Sequence, residues 1–329
     1  GWHVMETVRA GKPGGRVRPD LQRVMPVVIL AVLLLALSLL NRDFLSLQTL
    51  VNLMQQVSAV GVVAIGAMFV IITGGIDFSA GYGLAMIGMA AGVVYAQSPF
   101  QGSVAAMAVT FLGMGALLGL VNGLLIAALD ILPFIATLAM MSLAQGMSLM
   151  IGGGTMVMLT DSPILAVGQG KIGGVLPVSF VVLLAVCLTA SVILHRTKLG
   201  VYTYALGGNE DAAWYSGIHV KRYKILVYVV AGICTGIASM LTVSRIAMAT
   251  PSISGTTLTD AIAATCIGGT SMSGGRGNVL GTCIGAVIIV LISTALTYLK
   301  IPAEMQEVFK GAVILLAVAF DAVVSRKKQ

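Results

Sequence analysis

The chain has 329 residues, of which 58% are hydrophobic and 9% charged, with a net charge of +7. A soluble globular domain carries about 45–50% apolar and about 25% charged residues, so this composition excludes a water-soluble enzyme or binding domain. The basic residues cluster between apolar runs with few aromatics among them, the pattern of membrane-protein loops and not of a nucleic-acid surface.

Residues 1–22 are polar and basic, with Arg9, Lys12, Arg16 and Arg18, and the first apolar run begins near Val24. That run lacks a small-residue cleavage site and is expected to be a retained first helix. At about 20 residues per bilayer crossing, ten apolar runs qualify as spans, namely 24–40, 52–73, 79–97, 104–129, 134–151, 178–194, 225–245, 258–273, 279–299 and 306–324. The expected fold is all-α, a polytopic membrane helix bundle of about ten spans over residues 23–324, broken at glycine-rich hairpins and followed by a basic tail, 325–329. An inside N-terminus puts Arg196, Lys198, Lys221, Arg222, Lys224 and the tail on the same face, with 14 of the 19 Lys and Arg there; Arg42, Lys171, Arg245, Lys300 and Lys310 are the exceptions. The positive-inside rule then gives an N-in, C-in topology.

Two stretches share the pattern Gly-Gly-x-x-x-Ser-x-Gly-x-Gly: GGIDFSAGYG from Gly74 to Gly83 and GGTSMSGGRG from Gly268 to Gly277, 194 residues apart (268 − 74). Chance likeness is one explanation in a chain with 40 glycines, but the matching Ser and the similar flanks extend beyond glycine. Repeated glycine-broken helices suggest a transport path at a repeat interface. The expected hinge and path positions are Gly74, Gly75, Asp77, Ser79 and Gly81 in the first copy and Gly268, Gly269, Ser273, Gly275 and Gly277 in the second. An acid at membrane depth points to function, whereas a cap on the following helix is the structural alternative. Ser271, also a capping residue, stands at the position equivalent to Asp77 and favours the cap.

Asn52, Gln55 and Gln56 fall on one helical face and, with Asn122, are candidate polar groups along a path; Gln145 and Thr297 are further lone polar residues in spans. Each serves equally well as an interhelical hydrogen-bonding group. GMGALLGLVNG (Gly113 to Gly123) and GICTG (Gly232 to Gly236) offer small faces for close helix packing. The largest outer connection is 152–177, and the largest inner one is 195–224. In the latter, Asn209 suits an N-cap, Glu210 and Asp211 a first turn and Gly217 a stop, so NEDAAWYSG is expected to form a helix of about two turns outside the bilayer. Its Trp214 and Tyr215 call for an apolar pocket on another protein.

Cys187, Cys234, Cys266 and Cys283 lie in apolar runs without metal-ligand spacing and are expected to be packing residues. His3, His195 and His219 are scattered, so no metal centre is expected. GQGKIG at Gly168 to Gly173 lacks a strand–helix context, and there is no G-x-x-x-x-G-K-[ST] or H-E-x-x-H. Neither catalysis nor a cofactor of its own is expected of this chain.

The segments VIITGGIDFSAGYGLAMIG, YALGGNEDAAWYSGIHVKRYKI, DAIAATCIGGTSMSGGRGNVLGTCIGA and KGAVILLAVAFD resemble permease subunits of bacterial monosaccharide ABC importers, the ribose type above all, over about Leu21 to Lys328. The resemblance implies an inner-membrane permease paired with a second copy, a cytoplasmic subunit that binds ATP and a periplasmic sugar-binding protein. It also assigns the stretch Asn209, Glu210, Asp211, Ala212, Ala213, Trp214, Tyr215, Ser216 and Gly217 to docking on the ATPase. Where the family has Leu-Ser-Val-Gly after GGID, this chain has Phe78, Ser79, Ala80 and Gly81, which puts a ring near the hinge. Two alternatives stay open. One is a permease of the same wider family for inositol, a signalling furanose, a nucleoside or an amino acid. The other is a self-sufficient secondary carrier, which does not account for the exposed aromatic helix.

Overall fold

The computed structural model describes residues 28–315 apart from 29, 33, 36–43, 45, 98–99, 161, 254–255, 303 and 314. In chain order the helices are α1 (Leu47–Ile72), α2 (Ala80–Gln97), α3 (Val104–Ala127), α4 (Pro133–Ile151), α5 (Leu165–Gln169), α6 (Val178–Arg196), α7 (Lys198–Gly208), α8 (Glu210–Tyr215), α9 (Val220–Ile246), α10 (Thr257–Ile267) and α11 (Val279–Tyr298). Four two-residue strands are β1 (Val157–Met158), β2 (Lys171–Ile172), β3 (Leu176–Pro177) and β4 (Met248–Ala249). Helical residues also occur at 28, 30–32, 34–35 and 304–313. Residues 1–22, the tail 325–329 and parts of the expected spans 24–40 and 306–324 lie outside the described residues.

Among the described residues six helices are long and apolar enough to cross a membrane: α1, α3, α4, α6, α9 and α11. The apolar helices α2 and α10 are shorter, so membrane-crossing length is established for six of the ten expected spans. The expected span 258–273 overshoots α10, because the chain leaves the helix at Gly268 and turns at Gly269 with φ +87°.

Helix α1 forms the centre, packed on α6, α9, α10 and α11, and is buried on every side from Val57 to Ile72. That stretch lacks a polar face and is stable only where neighbours cover every side. Helices α3 and α9 approach most closely through the glycine faces anticipated above. A Cβ at Gly119 would overlap the Tyr228 carbonyl, and one at Gly236 the Phe111 carbonyl. In lipid, where apolar burial drives no association between helices, such backbone proximity supplies the packing energy.

At one end of the bundle the antiparallel pair β1–β4 matches Val157 with Ala249 and Met158 with Met248, tying the 152–177 connection to the chain leaving α9. The β2–β3 hairpin turns at Gly173 and Gly174, both with positive φ. The largest outer connection is therefore partly ordered. Helix α9 has 27 residues and spans about 40 Å, so this end lies far from the 195–219 connection that precedes it.

A buried ion network was not foreseen. Lys310, 6% exposed, places Nζ 3.1 Å from Asp260 Oδ1 and 2.8 Å from Glu307 Oε1, joining residues 304–313 to α10. Loss of Asp260 or Lys310 would strand the other charge out of water, which typically costs about 3–5 kcal/mol. The four cysteines are free; Cys187 Sγ on α6 lies 2.8 Å from Cys283 Sγ on α11, while Cys234 and Cys266 are buried.

Candidate functional site: two glycine turns and the connection 195–219

The first glycine turn follows from the end of α1. Thr73 is the C-cap and Gly74 adopts φ +80°, a left-handed conformation that carries no Cβ penalty in glycine. Gly74 N–H donates to the Ile71 carbonyl (2.9 Å) and Gly75 N–H to that of Val70 (3.1 Å), which pairs two of the carbonyls a helix end leaves open. Residues 75–78 run on without helical structure. Asp77 Oδ1 then accepts from Ser79 N–H (2.9 Å) and Ser79 Oγ (2.6 Å) just before α2 begins. Asn122 Nδ2 on α3 donates to Ser79 Oγ at 2.7 Å. Asp77 is 6% exposed and Ser79 and Asn122 are fully buried, so the start of α2 is held by a dry polar cluster. The geometry at Asp77 is that of a cap on the following helix. Thr137 Oγ donates to the Ile76 carbonyl (3.2 Å), and the Phe78 ring meets Phe134 edge-on with centroids 5.6 Å apart, so both contacts tie the turn to α4.

The second turn ends α10 by the same device. Gly269 N–H donates to the Cys266 carbonyl (3.0 Å) and Thr270 N–H to that of Thr265 (3.1 Å), with Gly268 as C-cap. In the sequence pattern Gly74 aligns with Gly268, yet in backbone conformation it corresponds to Gly269, a shift of one residue. Ser271 Oγ accepts from Ser273 N–H (3.4 Å), the counterpart of the Asp77–Ser79 contact. The copies then diverge. Gly81 and Gly83 lie in α2, whereas Gly274 and Gly275 take φ of +83° and +72°, and α11 starts only at Val279, capped by Asn278.

The two turns touch, and α7 joins them. Gly275 N–H donates to the Ile72 carbonyl at 2.8 Å, so an open carbonyl of α1 is paired by the other turn. A Cβ at Gly207 would overlap the Ile72 carbonyl, and one at Gly274 would lie 2.8 Å from the Gly207 carbonyl and 3.2 Å from Gly74 N. Tyr204 Oη donates to the Gly277 carbonyl at 2.7 Å, and burial raises the pKa of this half-buried phenol above its ordinary value. Three segments far apart in sequence thus meet backbone to backbone.

One residue beyond α7 is the expected short helix, α8. Asn209 Oδ1 accepts from Ala212 N–H (2.9 Å), and Glu210 and Asp211 fill the first turn. Gly217, at φ +80°, donates to the Trp214 carbonyl and Ile218 to that of Ala213, the same cap as in the two turns. Ser216 Oγ donates to the Ala212 carbonyl (2.8 Å), and Ala213 is buried with Leu206 and Val220. Trp214 is 62% and Tyr215 81% exposed, with their rings edge to face at 4.9 Å. Glu210 pairs with Lys224 (2.7 Å) and Asp130 with Lys221 (3.4 Å) across a cleft also lined by Trp214 and His219.

Of the polar residues expected along a path, Asn122 reaches the first turn, but Asn52, Gln55 and Gln56 do not. They lie near the opposite end of α1, about 30 Å from Gly74 by helical rise. There Asn52 Oδ1 accepts from Gln48 Nε2 (3.2 Å), Gln55 Nε2 donates to the Gly168 carbonyl (3.1 Å) and Gln56 is half-buried. Residues not singled out from the sequence are Tyr204, Gly207 and Tyr228. The Tyr228 hydroxyl, buried and without a hydrogen-bond partner among the described residues, lies 2.7 Å from where a Cβ on Gly75 would stand. For Gly207 the available signal was the glycine pair ahead of Asn209.

Apolar helices of membrane-crossing length, with two glycine turns that meet α7 backbone to backbone, define a multi-pass membrane protein. The chain belongs to the family described as branched-chain amino acid transport system / permease component, which matches residues 49–318. It is 37% identical to the ribose import permease protein of Haemophilus influenzae over 92% of this chain and 93% of that one, and 39% identical to that of Bacillus subtilis over the same shares. To the galactose/methyl galactoside import permease protein of Escherichia coli it is 32% identical, over 92% of this chain and 94% of that one. No solved structure gives a significant match.

Proposed function

We propose that the chain is the membrane subunit of an ATP-driven importer and forms the path for a monosaccharide of the ribose type. The observation that carries this reading is the near-full-length likeness to ribose import permease proteins, at 37–39% identity, above that to the galactose/methyl galactoside protein. In this reading the protein sits in the bacterial inner membrane, N-in and C-in. It has ten spans over residues 23–324, counting α2, α10 and the segments at 24–40 and 306–324. Its partners are a second permease copy, a cytoplasmic ATPase subunit that holds the ATP, and a periplasmic sugar-binding protein.

Helix α8 is the coupling element, with Trp214 and Tyr215 entering a pocket on the ATPase. Closure of the ATPase displaces α8 and α7, and Gly207 carries the displacement to the turns at Gly74 and Gly274, which it touches. The helices ending there bend at caps that keep their backbone groups paired, as a lipid environment requires. A neutral solute needs hydrogen-bonding groups but no counter-ion along such a path.

The test is uptake of labelled D-ribose and D-galactose by proteoliposomes that hold the chain with its ATPase and binding protein. ATP-dependent uptake is expected. Trp214→Ala is expected to abolish co-purification of the ATPase while the permease stays folded. Uptake by the chain alone without ATP would replace this reading with a self-sufficient carrier.

A further inference from the structure

The bundle has a second cleft, at the end opposite α8. Its walls are α2, α4 and the chain after each of α4 and α9, and its polar groups come from Tyr82, Gln145, Thr155, Thr250 and Ser252. The rim lies at the level of the β1–β4 pair, against which Gly92 of α2 packs. Tyr82 precedes Gly92 by ten residues, so the cleft reaches about 15 Å down along α2. Its floor is therefore one helical turn from Ser79, in the polar cluster that starts α2.

The chemistry of this cleft contrasts with that beside α8. The cleft at α8 is lined by Asp130, Glu210, Asp211, Lys221, Arg222 and Lys224. No charged side chain among the described residues lines the opposite one. The Tyr82 hydroxyl and the exposed Gln145 amide have no hydrogen-bond partner among the described residues, and the Thr250 and Ser252 hydroxyls lie 3.0 Å apart. An amide supplies a donor pair and an acceptor, and each hydroxyl supplies both roles. Such a set matches the vicinal hydroxyls of a sugar, and it holds no counter-ion to offset the desolvation of a carboxylate or an ammonium group. Leu149, Met156 and the Tyr82 ring provide apolar surface for the C–H face of a sugar ring.

We propose that this cleft is the entry half of the solute path, a site for a neutral aldopentose or aldohexose, with Gln145 and Tyr82 as its specificity-determining residues. The proposal rests on the import reading above and adds to it the place and the residues of sugar contact. A conformational change that moves the start of α2 would open the floor at Tyr82 toward the glycine turns.

The experiment measures D-ribose and D-galactose uptake by the reconstituted importer, with Gln145→Leu and Tyr82→Phe against wild type. Every preparation is first checked for a monodisperse complex. Loss of one hydrogen bond to the sugar is expected to raise KM about tenfold in each variant. In parallel, Gln145→Cys is expected to react with a membrane-impermeant thiol reagent added on the side opposite α8, and D-ribose to slow that reaction. Wild-type kinetics in both variants, or a Gln145→Cys thiol that the reagent does not reach, would overturn the cleft assignment while leaving the importer intact. A wild type that moves neither sugar would overturn the monosaccharide reading and the cleft together.

Discussion

The turn after α1 and the turn after α10 end their helices with the same pair of backbone hydrogen bonds, yet different forces hold them in place. The first is fixed by side chains, since Asp77, Ser79 and Asn122 form a buried network that starts α2 at once. The second is fixed mainly by backbone, through Gly275 on Ile72 and through Gly274 and Gly277 against α7. A turn locked by its own side chains moves as one piece with its helix. A turn held by a neighbouring segment follows that neighbour. In the proposed importer this difference makes the second turn the receiver of motion from α8 and the first turn the element it pushes on.

Substitution at the shared contact has the largest expected effect. Gly207→Val would drive a side chain into the Ile72 carbonyl and Gly275 N, and overpacking against backbone costs about 3 kcal/mol or more. A large fall in melting temperature and loss of uptake are expected. Unchanged melting would mean that the three segments are not in contact. By contrast, Gly208 has open space around it, and Gly208→Ala is expected to fold normally.

The next test separates the two turns. Asp77→Ala removes an acceptor from two buried donors and is expected to cost about 1–3 kcal/mol, the range for leaving a buried donor unpaired. Ser271→Ala removes the longer contact to Ser273 N–H, and the loss of that contact is expected to cost about 0.5 kcal/mol, the low end for a cap. Equal losses in urea unfolding would erase the distinction between a side-chain lock and a backbone lock.

Tyr204→Phe has the smallest expected effect, about 1 kcal/mol for one hydrogen bond to the Gly277 carbonyl. Its pH dependence sharpens the point. Burial raises the folded-state pKa of Tyr204, so its contribution is complete below the unfolded value of about 10 and is lost only as pH rises through the higher folded value. The stability difference between wild type and Tyr204→Phe is therefore expected to stay constant from neutral pH to about 10 and to shrink above it. A difference that already fades near pH 8 would place Tyr204 in water, away from the second turn.

Local chemistry made much of this protein legible in its sequence. Apolar runs set the membrane class because a span needs only its own residues to be apolar. The caps of α8 were readable because Asn209 and Gly217 act on backbone groups within a few residues. Glycine pairs marked the two turns for the same reason. The pattern could not reveal that the copies are out of step by one residue, since that depends on which glycine takes the positive φ. Nor could it give the true length of α10, which stops where Gly269 turns and not where apolar residues end.

Tertiary structure alone decided what meets what. Ile72, Gly207 and Gly275 come from distant parts of the chain, and their contact exists only because α1, α7 and α10 end at one level. The Asp260–Lys310 pair and the neutral cleft from Tyr82 to Ser252 arise in the same way. A helix end or a cap is set by neighbours along the chain, whereas a junction or a cleft is set by which helix faces pack together, and that is a property of the whole bundle.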